Sequence, residues 1–200
     1  PIRSSAASDV YKRQDIYEKE RPVGIQIFGA NLDSMLRSVD IVEKTNPDII
    51  DINFGCPVKK VVCKGAGAGI LKDIDKMEML TREMAKRTKL PVTVKTRLGW
   101  DEKTIKIVEV AERIQDAGAK AITIHGRTRA QMYKGNADWS LISEVKNNHR
   151  MKIPVFGNGD VNSPEKAVEM RDKYGLDGAM IGRASICLLY TSDAADDLIG

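Results

Sequence analysis

The stretch Ile49–Pro57 reads IIDINFGCP, and it joins a short apolar run to a polar turn that carries a cysteine. A run that is nearly continuous in apolar residues and ends in a Gly/Pro turn is typical of a strand buried on both faces. Five other stretches of the chain have the same character. The six predicted strands are Val23–Phe28, Ile49–Asn53, Val92–Lys95, Ala121–Ile124, Pro154–Gly157 and Gly178–Ile181.

Longer amphipathic stretches separate these strands and have the apolar spacing of helices. Ser163-Pro164 marks one helix start, because a capping hydroxyl precedes a proline at the first helical position. Gly175 lies where a helix C-cap is expected. The predicted helices are Leu32–Lys44, Lys76–Arg87, Thr104–Ala117, Asp138–Lys146 and Glu165–Lys173. Alternation of strands and helices implies a parallel sheet, which is compatible with both a doubly wound sheet and a barrel.

Polar residues follow every predicted strand, and this feature favours the barrel. The active site of a (β/α)8 barrel lies at the carboxyl ends of its strands. The residues at these ends are Gln26, Asn53, Cys56, Lys95, Arg97, His125, Arg127, Arg129, Asn158, Asp160 and Arg183. We therefore predict an α/β fold, an incomplete (β/α)8 TIM barrel with about strands 3–8 present and a polar ligand at its mouth. A whole barrel takes about 250 residues, so this prediction requires strands beyond those in the chain.

The two ends of the chain have an unusual relationship. Ser4–Gln14 reads SSAASDVYKRQ and Cys187–Asp197 reads CLLYTSDAADD. One DNA sequence encodes the first peptide, and its reverse complement, read one base in, encodes the second as far as CLLYTSDAAD. We therefore predict that residues 1–14 and 187–200 are non-native, derived from a translated sequencing adapter. Residues 15–186 are then part of the catalytic domain of a longer protein, and we expect the 200-residue chain to fold poorly and to be inactive.

The composition of residues 15–186 is that of an ordinary soluble globular protein. Without the two ends the net charge rises from +4 to +5, which permits an RNA partner but does not argue for one. No apolar run approaches the roughly 20 residues that span a bilayer. Cys56 and Cys63 suggest a reduced, cytoplasmic protein rather than a disulfide scaffold. No Cys/His pair has ligand spacing, so we expect no metal, and we expect a monomer.

Several candidate site residues allow two readings. Cys56 is either a buried structural thiol or, in a turn just past a strand, a nucleophile or proton donor. Lys95 either faces an anionic or electron-rich ligand atom in the barrel mouth or extends to solvent. His125 is either a hydrogen-bonded structural residue or a functional one. Gly65–Gly69 (GAGAG) is predicted to be a flexible loop that either binds a phosphate or acts as a mobile lid.

The order of several motifs resembles that of the tRNA-dihydrouridine synthase family, most closely its bacterial B-type branch. The resemblance covers essentially all of residues 15–186. The matching motifs are Asp51-Ile-Asn-Phe-Gly-Cys-Pro57, Gly65-Ala-Gly, Leu71-Lys-Asp73, Val94-Lys-Thr-Arg-Leu-Gly99, Ile124-His-Gly-Arg-Thr-Arg129, Gly157-Asn-Gly-Asp160 and Ile181-Gly-Arg183.

The resemblance implies an FMN enzyme that uses NADPH or NADH to reduce uridine in tRNA to 5,6-dihydrouridine. It implies that Cys56 is the proton donor and that Asn53, Arg127 and Arg129 bind the substrate RNA or its uridine. The resemblance also implies a set of residues that contact the cofactor. They are Gln26, Lys95, His125, Asn158, Gly159, Asp160, Gly182 and Arg183. Two alternatives remain open: an FMN-dependent reductase or dehydrogenase of free pyrimidines (dihydropyrimidine or dihydroorotate dehydrogenase-like), and a non-catalytic RNA-binding module that kept the fold.

Overall fold

The computed structural model describes residues 16–185, and its central feature is one parallel sheet of six strands. The segments predicted to be adapter-derived, 1–14 and 187–200, lie outside the described residues. The strands are β1 Gly24–Ile27, β2 Ile49–Asn53, β3 Val92–Arg97, β4 Ala121–His125, β5 Val155–Asn158 and β6 Gly178–Met180. All six predicted strands are therefore confirmed, with ends that differ by at most two residues.

The strand order settles the choice between the two parallel architectures. The strands pair in sequence order from β1 to β6, and every neighbouring pair is parallel. A doubly wound sheet reverses its strand order at a switch point, whereas a barrel adds each new strand on the same side of the last. The described chain is therefore an incomplete (β/α)8 barrel, with β1 and β6 at the edges of its described part.

Helices follow the strands and pack on one side of the sheet. The α-helices are α1 Leu32–Glu43, α2 Lys59–Val62, α3 Ile74–Arg87, α4 Ile107–Asp116, α5 Ser140–Asn147 and α6 Pro164–Tyr174. Three 3₁₀ helices occupy Glu18–Glu20, Gly67–Lys72 and Glu102–Thr104. All five predicted helices are present, and α6 has the predicted caps at Ser163 and Gly175. Among the described helices none is both long and apolar enough to cross a bilayer.

Helix α4 begins three residues later than predicted. Asp101 and Thr104 form a reciprocal capping box around the short 3₁₀ helix. Ile105 then pairs with Gly99 in an isolated antiparallel bridge, which keeps its backbone extended. The helix can start only after this bridge, so the apolar spacing across Thr104–Ala117 overestimated its length.

The Gly65–Gly69 segment is not the flexible loop that its composition predicted. Residues 67–69 are buried, and they open the 3₁₀ helix Gly67–Lys72. A Cβ on Gly69 would lie 2.8 Å from the carbonyl oxygen of Val62, so only glycine permits this close packing against α2. The glycines therefore serve close packing, not mobility.

Side chains on the two faces of the sheet differ in character, because successive residues of a strand point to opposite faces. Ile50, Ile52 and Val94 are buried in the hydrophobic core with Leu80 of α3. The alternate residues of β2 and β3 are polar and are on the face away from the helices. They are Asp51, Asn53, Thr93, Lys95 and Arg97. The prediction that each strand is buried on both faces holds for most of β4 but not for β1, whose residues are half-buried or exposed.

Candidate active site

A cavity of about 920 Å³ opens at the carboxyl ends of the strands, on the polar face of the sheet. Every predicted site residue except Arg127 and Arg129 lines it. These residues are Gln26, Asn53, Cys56, Lys95, His125, Asn158, Gly159, Asp160, Gly182 and Arg183. They come from all six strands or the turns that follow them, as a shared barrel mouth requires.

The turn that carries Cys56 is fixed from three directions. The side-chain oxygen of Asn53 accepts hydrogen bonds from the backbone N–H groups of Gly55 and Cys56, at 3.0 and 2.9 Å. The Gly55 carbonyl accepts from Nε of Arg97 at 2.7 Å. The Cys56 carbonyl accepts from the N–H of Ala68 in the glycine-rich segment, at 2.9 Å. Cys56 is half-buried and is a free thiol, so its position is defined while it still lines the cavity.

A chain of hydrogen bonds runs from β3 through β2 and β1 to this turn. Oδ1 of Asp51 accepts from Oγ1 of Thr93 and Oδ2 accepts from Nε2 of Gln26, both at 2.6 Å. Oε1 of Gln26 accepts from Nδ2 of Asn53 at 2.8 Å. Burial raises the pKa of Asp51, and the hydrogen bonds from Thr93 and Gln26 together with the charge of Lys95 oppose that rise.

Lys95 extends from β3 into the cavity, as predicted from its place at a strand end. Burial, reinforced by the nearby charge of Arg97, lowers the pKa of Lys95 to about 8. Within the described residues no side chain or carbonyl oxygen accepts a hydrogen bond from its ammonium group, and Asp51 acts on it only through longer-range attraction. The ammonium group of Lys95 therefore lacks a hydrogen-bond acceptor in the described part of the chain. An anionic or electron-rich ligand would supply one.

His125 is held in its neutral form at the carboxyl end of β4. Burial and the positive charges of Arg97, Lys95 and Arg127 lower the pKa of His125 to about 3. Nε2 of the imidazole lies 3.3 Å from Nη1 of Arg127. Because a guanidinium can only donate, Nε2 is the acceptor and Nδ1 carries the proton. His125 is therefore a neutral hydrogen-bonding group at the cavity wall, not a cation.

Arg127 does not face the cavity, although it was predicted to contact RNA. It is 2% exposed, and its Nη2 lies 2.8 Å from both carboxylate oxygens of Asp160. Nε donates to the carbonyl of Lys134 at 3.2 Å. These partners occupy the guanidinium within the fold, so the geometry assigns Arg127 to holding His125 and Asp160 in place.

Arg129 does not line the cavity and lies against the ring of Trp100. Its guanidinium carbon is 4.6 Å from the centroid of Trp100, and Nζ of Lys72 is 3.8 Å from the same centroid. Nε of Arg129 is buried without a hydrogen-bond partner among the described residues. The predicted RNA contact of Arg129 stays a prediction.

The ends of β5 and β6 form the part of the cavity predicted to bind a phosphate. Asn158 donates through Nδ2 to the carbonyl of Met180 at 2.8 Å, which ties the two strand ends together. The carboxylate of Asp160 is directed to Arg127 and to the N–H of Ala137, at 2.7 Å. Positive φ angles at Gly159 (118°) and Asp160 (57°) turn the backbone sharply after β5. Asp160 can therefore serve an anionic ligand through its backbone but not through its carboxylate.

Arg97 and Tyr133 are among the cavity residues that were not assigned a role from sequence. Arg97 follows Lys95 by two positions and so shares its face of β3, a signal that the strand period contains. Tyr133 comes from the loop after β4, with its ring centroid 4.7 Å from the guanidinium carbon of Arg183 and 5.6 Å from that of Arg97. No strand or helix pattern covers Tyr133, so nothing in the local sequence marks it.

The described residues contain no group of three His, Cys, Asp or Glu side chains that is placed to hold a metal ion.

Sequence comparison matches residues 4–187 to the family described as Dihydrouridine synthase (Dus). That range includes residues 4–14, for which an adapter origin stays a prediction. A probable tRNA-dihydrouridine synthase 1 of Synechocystis sp. is 42% identical over 172 residues, which are 86% of this chain and 48% of that protein. The tRNA-dihydrouridine synthase B of Vibrio vulnificus is 39% identical over 173 residues, 86% of this chain and 53% of that protein. The chain thus spans about half the length of the curated relatives it matches.

Structural comparison finds the same fold in solved oxidase structures of low sequence identity. A mandelate oxidase superposes with a TM-score of 0.57 at 19% identity, covering 80% of this chain and 48% of that one. A mandelate oxidase mutant solved with a monooxide FMN adduct gives 0.56 at 20% identity, with the same coverage. A lactate oxidase of Pediococcus acidilactici gives 0.57 at 19% identity, covering 82% and 49%. At these identities the similarity establishes the fold alone.

Proposed function

Because this chain belongs to the dihydrouridine synthase family, we propose that it is the catalytic part of a flavin enzyme that reduces uridine in tRNA to 5,6-dihydrouridine. One observation carries the proposal: the Cys56 thiol and the unpartnered ammonium group of Lys95 line the same cavity, from the ends of neighbouring strands. A site that adds a hydride and a proton across a double bond needs an acid on one side and a stabilised electron donor on the other.

FMN is the proposed cofactor, and the residues of the cavity fit it. Its dianionic phosphate suits the backbone N–H groups after β5 and β6 together with the Arg183 side chain. Its ring system suits the deep part of the cavity, where Lys95 lacks an acceptor among the described residues. When bound, the reduced flavin supplies the hydride for C6 of the uracil ring. A mandelate oxidase mutant of the same fold was solved with a monooxide FMN adduct, which supports FMN as the proposed cofactor.

The proposed cofactor contacts follow the geometry of the cavity. Lys95 places positive charge beside the electron-rich ring, and neutral His125 offers the N–H of Nδ1. Gln26 borders the same space with its side-chain amide. Asn158, Gly159, Asp160, Gly182 and Arg183 surround the phosphate, with Asp160 acting through its backbone.

Cys56 is the proposed proton donor. When C6 of uracil accepts the hydride, C5 must take a proton, and the Cys56 thiol provides it while becoming a thiolate. Asn53 is proposed to contact the uracil, and Arg129 to contact the RNA near the cavity. Arg127 belongs to this proposal only as a residue that positions His125 and Asp160.

The remaining parts of the proposal concern the complete protein. Its reductant is NADPH or NADH, its macromolecular partner is tRNA, and it acts in the cytoplasm as a monomer without a metal ion. A modest net charge of +4 is compatible with an RNA partner.

The test uses the complete gene that encodes this chain, expressed in a strain that lacks its own dihydrouridine synthases. Dihydrouridine in purified tRNA is quantified by mass spectrometry for the wild type and for Cys56→Ala. We expect the wild type to restore dihydrouridine and Cys56→Ala to lower its rate of formation by roughly 10²- to 10⁴-fold, the usual contribution of a general acid. Cys63→Ala is the matched control, because Cys63 is exposed and does not line the cavity.

Absence of dihydrouridine from a well-expressed, flavin-loaded wild type would overturn the proposal. Reduction of free uracil, or oxidation of a dihydropyrimidine, by that same preparation would then identify a free-pyrimidine enzyme. Full activity of Cys56→Ala would refute the role of Cys56 as proton donor, and the proposed reaction would still stand.

A further inference from the structure

Asp51 is half-buried on β2 and has no proposed contact of its own with cofactor or substrate, yet it belongs to the hydrogen-bond chain that ends at Cys56. We propose that Asp51 is a positioning residue, which fixes the orientation of the Gln26 and Asn53 amides and thereby holds the turn that carries Cys56. This inference rests on the proposed role of Cys56 as proton donor.

The orientation of each amide follows from the chemistry of its neighbour. An ionised carboxylate can only accept hydrogen bonds. Asp51 therefore requires the NH₂ group of Gln26 to point toward it, and Oε1 of Gln26 must then face Asn53. Oε1 in turn requires the NH₂ group of Asn53, which leaves Oδ1 of Asn53 as the acceptor for the turn.

Reversal of either amide would break the contact with the Cys56 turn. If Asn53 rotated by half a turn, its NH₂ group would face the backbone N–H groups of Gly55 and Cys56, and donors would oppose donors. The turn would lose both of its side-chain hydrogen bonds to Asn53. Its remaining anchors, Arg97 on the Gly55 carbonyl and the Ala68 N–H on the Cys56 carbonyl, do not contact the Cys56 N–H.

Thr93 makes the arrangement specific to a carboxylate. Its hydroxyl donates to Oδ1 of Asp51 while Gln26 donates to Oδ2. The carboxylate therefore receives one donor on each oxygen, and Lys95 is the cation that faces it from β3. A side chain at position 51 without acceptors would leave the Gln26 amide free to adopt either orientation.

The experiment exchanges the donor and the acceptor of the hydrogen bond between residues 51 and 26 in the complete, flavin-loaded protein. Gln26→Glu places two carboxylates against each other and removes the donor to Asp51. Their repulsion should displace the side chain at position 26, so that the Asn53 NH₂ group loses its acceptor. Adding Asp51→Asn again places a hydrogen-bond donor opposite an acceptor. The new amide at position 51 can donate to the new carboxylate at position 26 and can still accept from Thr93. The single and double variants share the change at position 26. Any direct effect of that change on the flavin therefore cancels when the reaction rates of the two variants are compared.

Three rates are measured: flavin reduction by NADPH, single-turnover formation of dihydrouridine by the pre-reduced enzyme, and alkylation of Cys56 by iodoacetamide, followed on its peptide by mass spectrometry. We expect the double variant to form dihydrouridine at least tenfold faster than Gln26→Glu, with similar flavin reduction in the two. Equal rates of dihydrouridine formation, within twofold, would overturn the inference.

If the wild type forms no dihydrouridine, the proposed function fails and alkylation decides the positioning role. Gln26→Glu should then change the alkylation rate of Cys56 at least threefold, and the double variant should return it to within twofold of the wild type. Unchanged alkylation in all three proteins contradicts the inference.

If Gln26→Glu does not accumulate as a flavin-loaded protein, Asp51→Leu takes its place. It should keep flavin reduction within twofold of the wild type and lose at least tenfold in uridine reduction. An equal loss in both steps, or no loss, would refute the positioning role.

Discussion

Lys95 illustrates how one residue can lower the stability of a fold while serving its site. Its ammonium group is brought into the cavity by β3, where burial lowers its pKa from 10.5 to about 8. At neutral pH it is still protonated, so the folded protein holds a poorly solvated charge. A bound anionic or electron-rich ligand would offset that cost, and the ligand-free protein has no such compensation.

Replacing this charge should therefore stabilise the ligand-free protein. The unfolded chain keeps the Lys95 proton up to about pH 10.5, whereas the folded protein releases it near pH 8. The cost is present in full below pH 8 and disappears as the pH rises through the window from 8 to 10.5. We expect Lys95→Met to raise the free energy of unfolding by about 1–3 kcal/mol at pH 7 and by less at pH 10.

Denaturant unfolding of the flavin-free protein at the two pH values measures this difference, and FMN titration should show weaker binding by the variant. Lys120→Met is the matched control, because Lys120 is exposed at the opposite end of β4. A Lys95→Met protein that is less stable than the wild type at pH 7 would show that Lys95 is paired in the fold.

At the scale of the element, the 3₁₀ helix Gly67–Lys72 acts as a support for the turn after β2. Gly67 has a φ of +54°, and a Cβ on it would lie 2.8 Å from the carbonyl oxygen and 2.9 Å from the Cβ of Cys56. The small residue therefore allows the helix to reach the Cys56 turn, where the Ala68 N–H donates its hydrogen bond.

Gly67→Ala should disturb this contact by two mechanisms. The left-handed backbone is costly for alanine, by about 1 kcal/mol, and the overlap with Cys56 adds roughly 1–3 kcal/mol. Gly175→Ala is the matched control, since Gly175 has a similar φ of +65° and nothing within 4 Å of its Cβ position. We expect Gly67→Ala to lower the midpoint of chemical unfolding more than Gly175→Ala, and to slow dihydrouridine formation when Gly175→Ala does not. Equal effects of the two changes on both quantities would contradict this role of Gly67.

At the scale of the whole molecule, the sheet is open at β1 and β6 within the described residues. The residues of β1 are half-buried or exposed, and the Phe28 side chain that follows it is 59% exposed. Unpaired strand edges with apolar side chains favour association with other chains. Large apolar side chains are also exposed on the helices, at Ile41, Met79 and Val168.

We therefore expect the 200-residue chain alone to self-associate and to bind a hydrophobic dye more strongly than the protein made from the complete gene. Light scattering and dye fluorescence at equal concentrations measure both properties. A monomeric chain with a cooperative thermal transition and stoichiometric FMN would refute this prediction.

The sequence by itself determined the alternation of strands and helices, because the spacing of apolar residues is a local property of each segment. It also determined most of the cavity wall. Parallel strands bring their carboxyl ends to one edge, so polar residues after successive strands, such as Asn53, Lys95 and His125, must meet once the sheet forms. For these residues a correct assignment of the strands is sufficient to predict that their side chains lie close together.

Only the tertiary structure decided what depends on distant parts of the chain. The sequential strand order distinguishes the barrel from a doubly wound sheet, and no local pattern contains it. Arg127 was predicted to contact RNA, but Asp160, 33 residues later, binds its guanidinium. Gly67 was placed in a flexible loop, yet it is packed against Cys56. The physical reason is common to these cases: hydrogen-bond partners and close contacts are set by strand register and loop path, which bring together residues that the sequence separates.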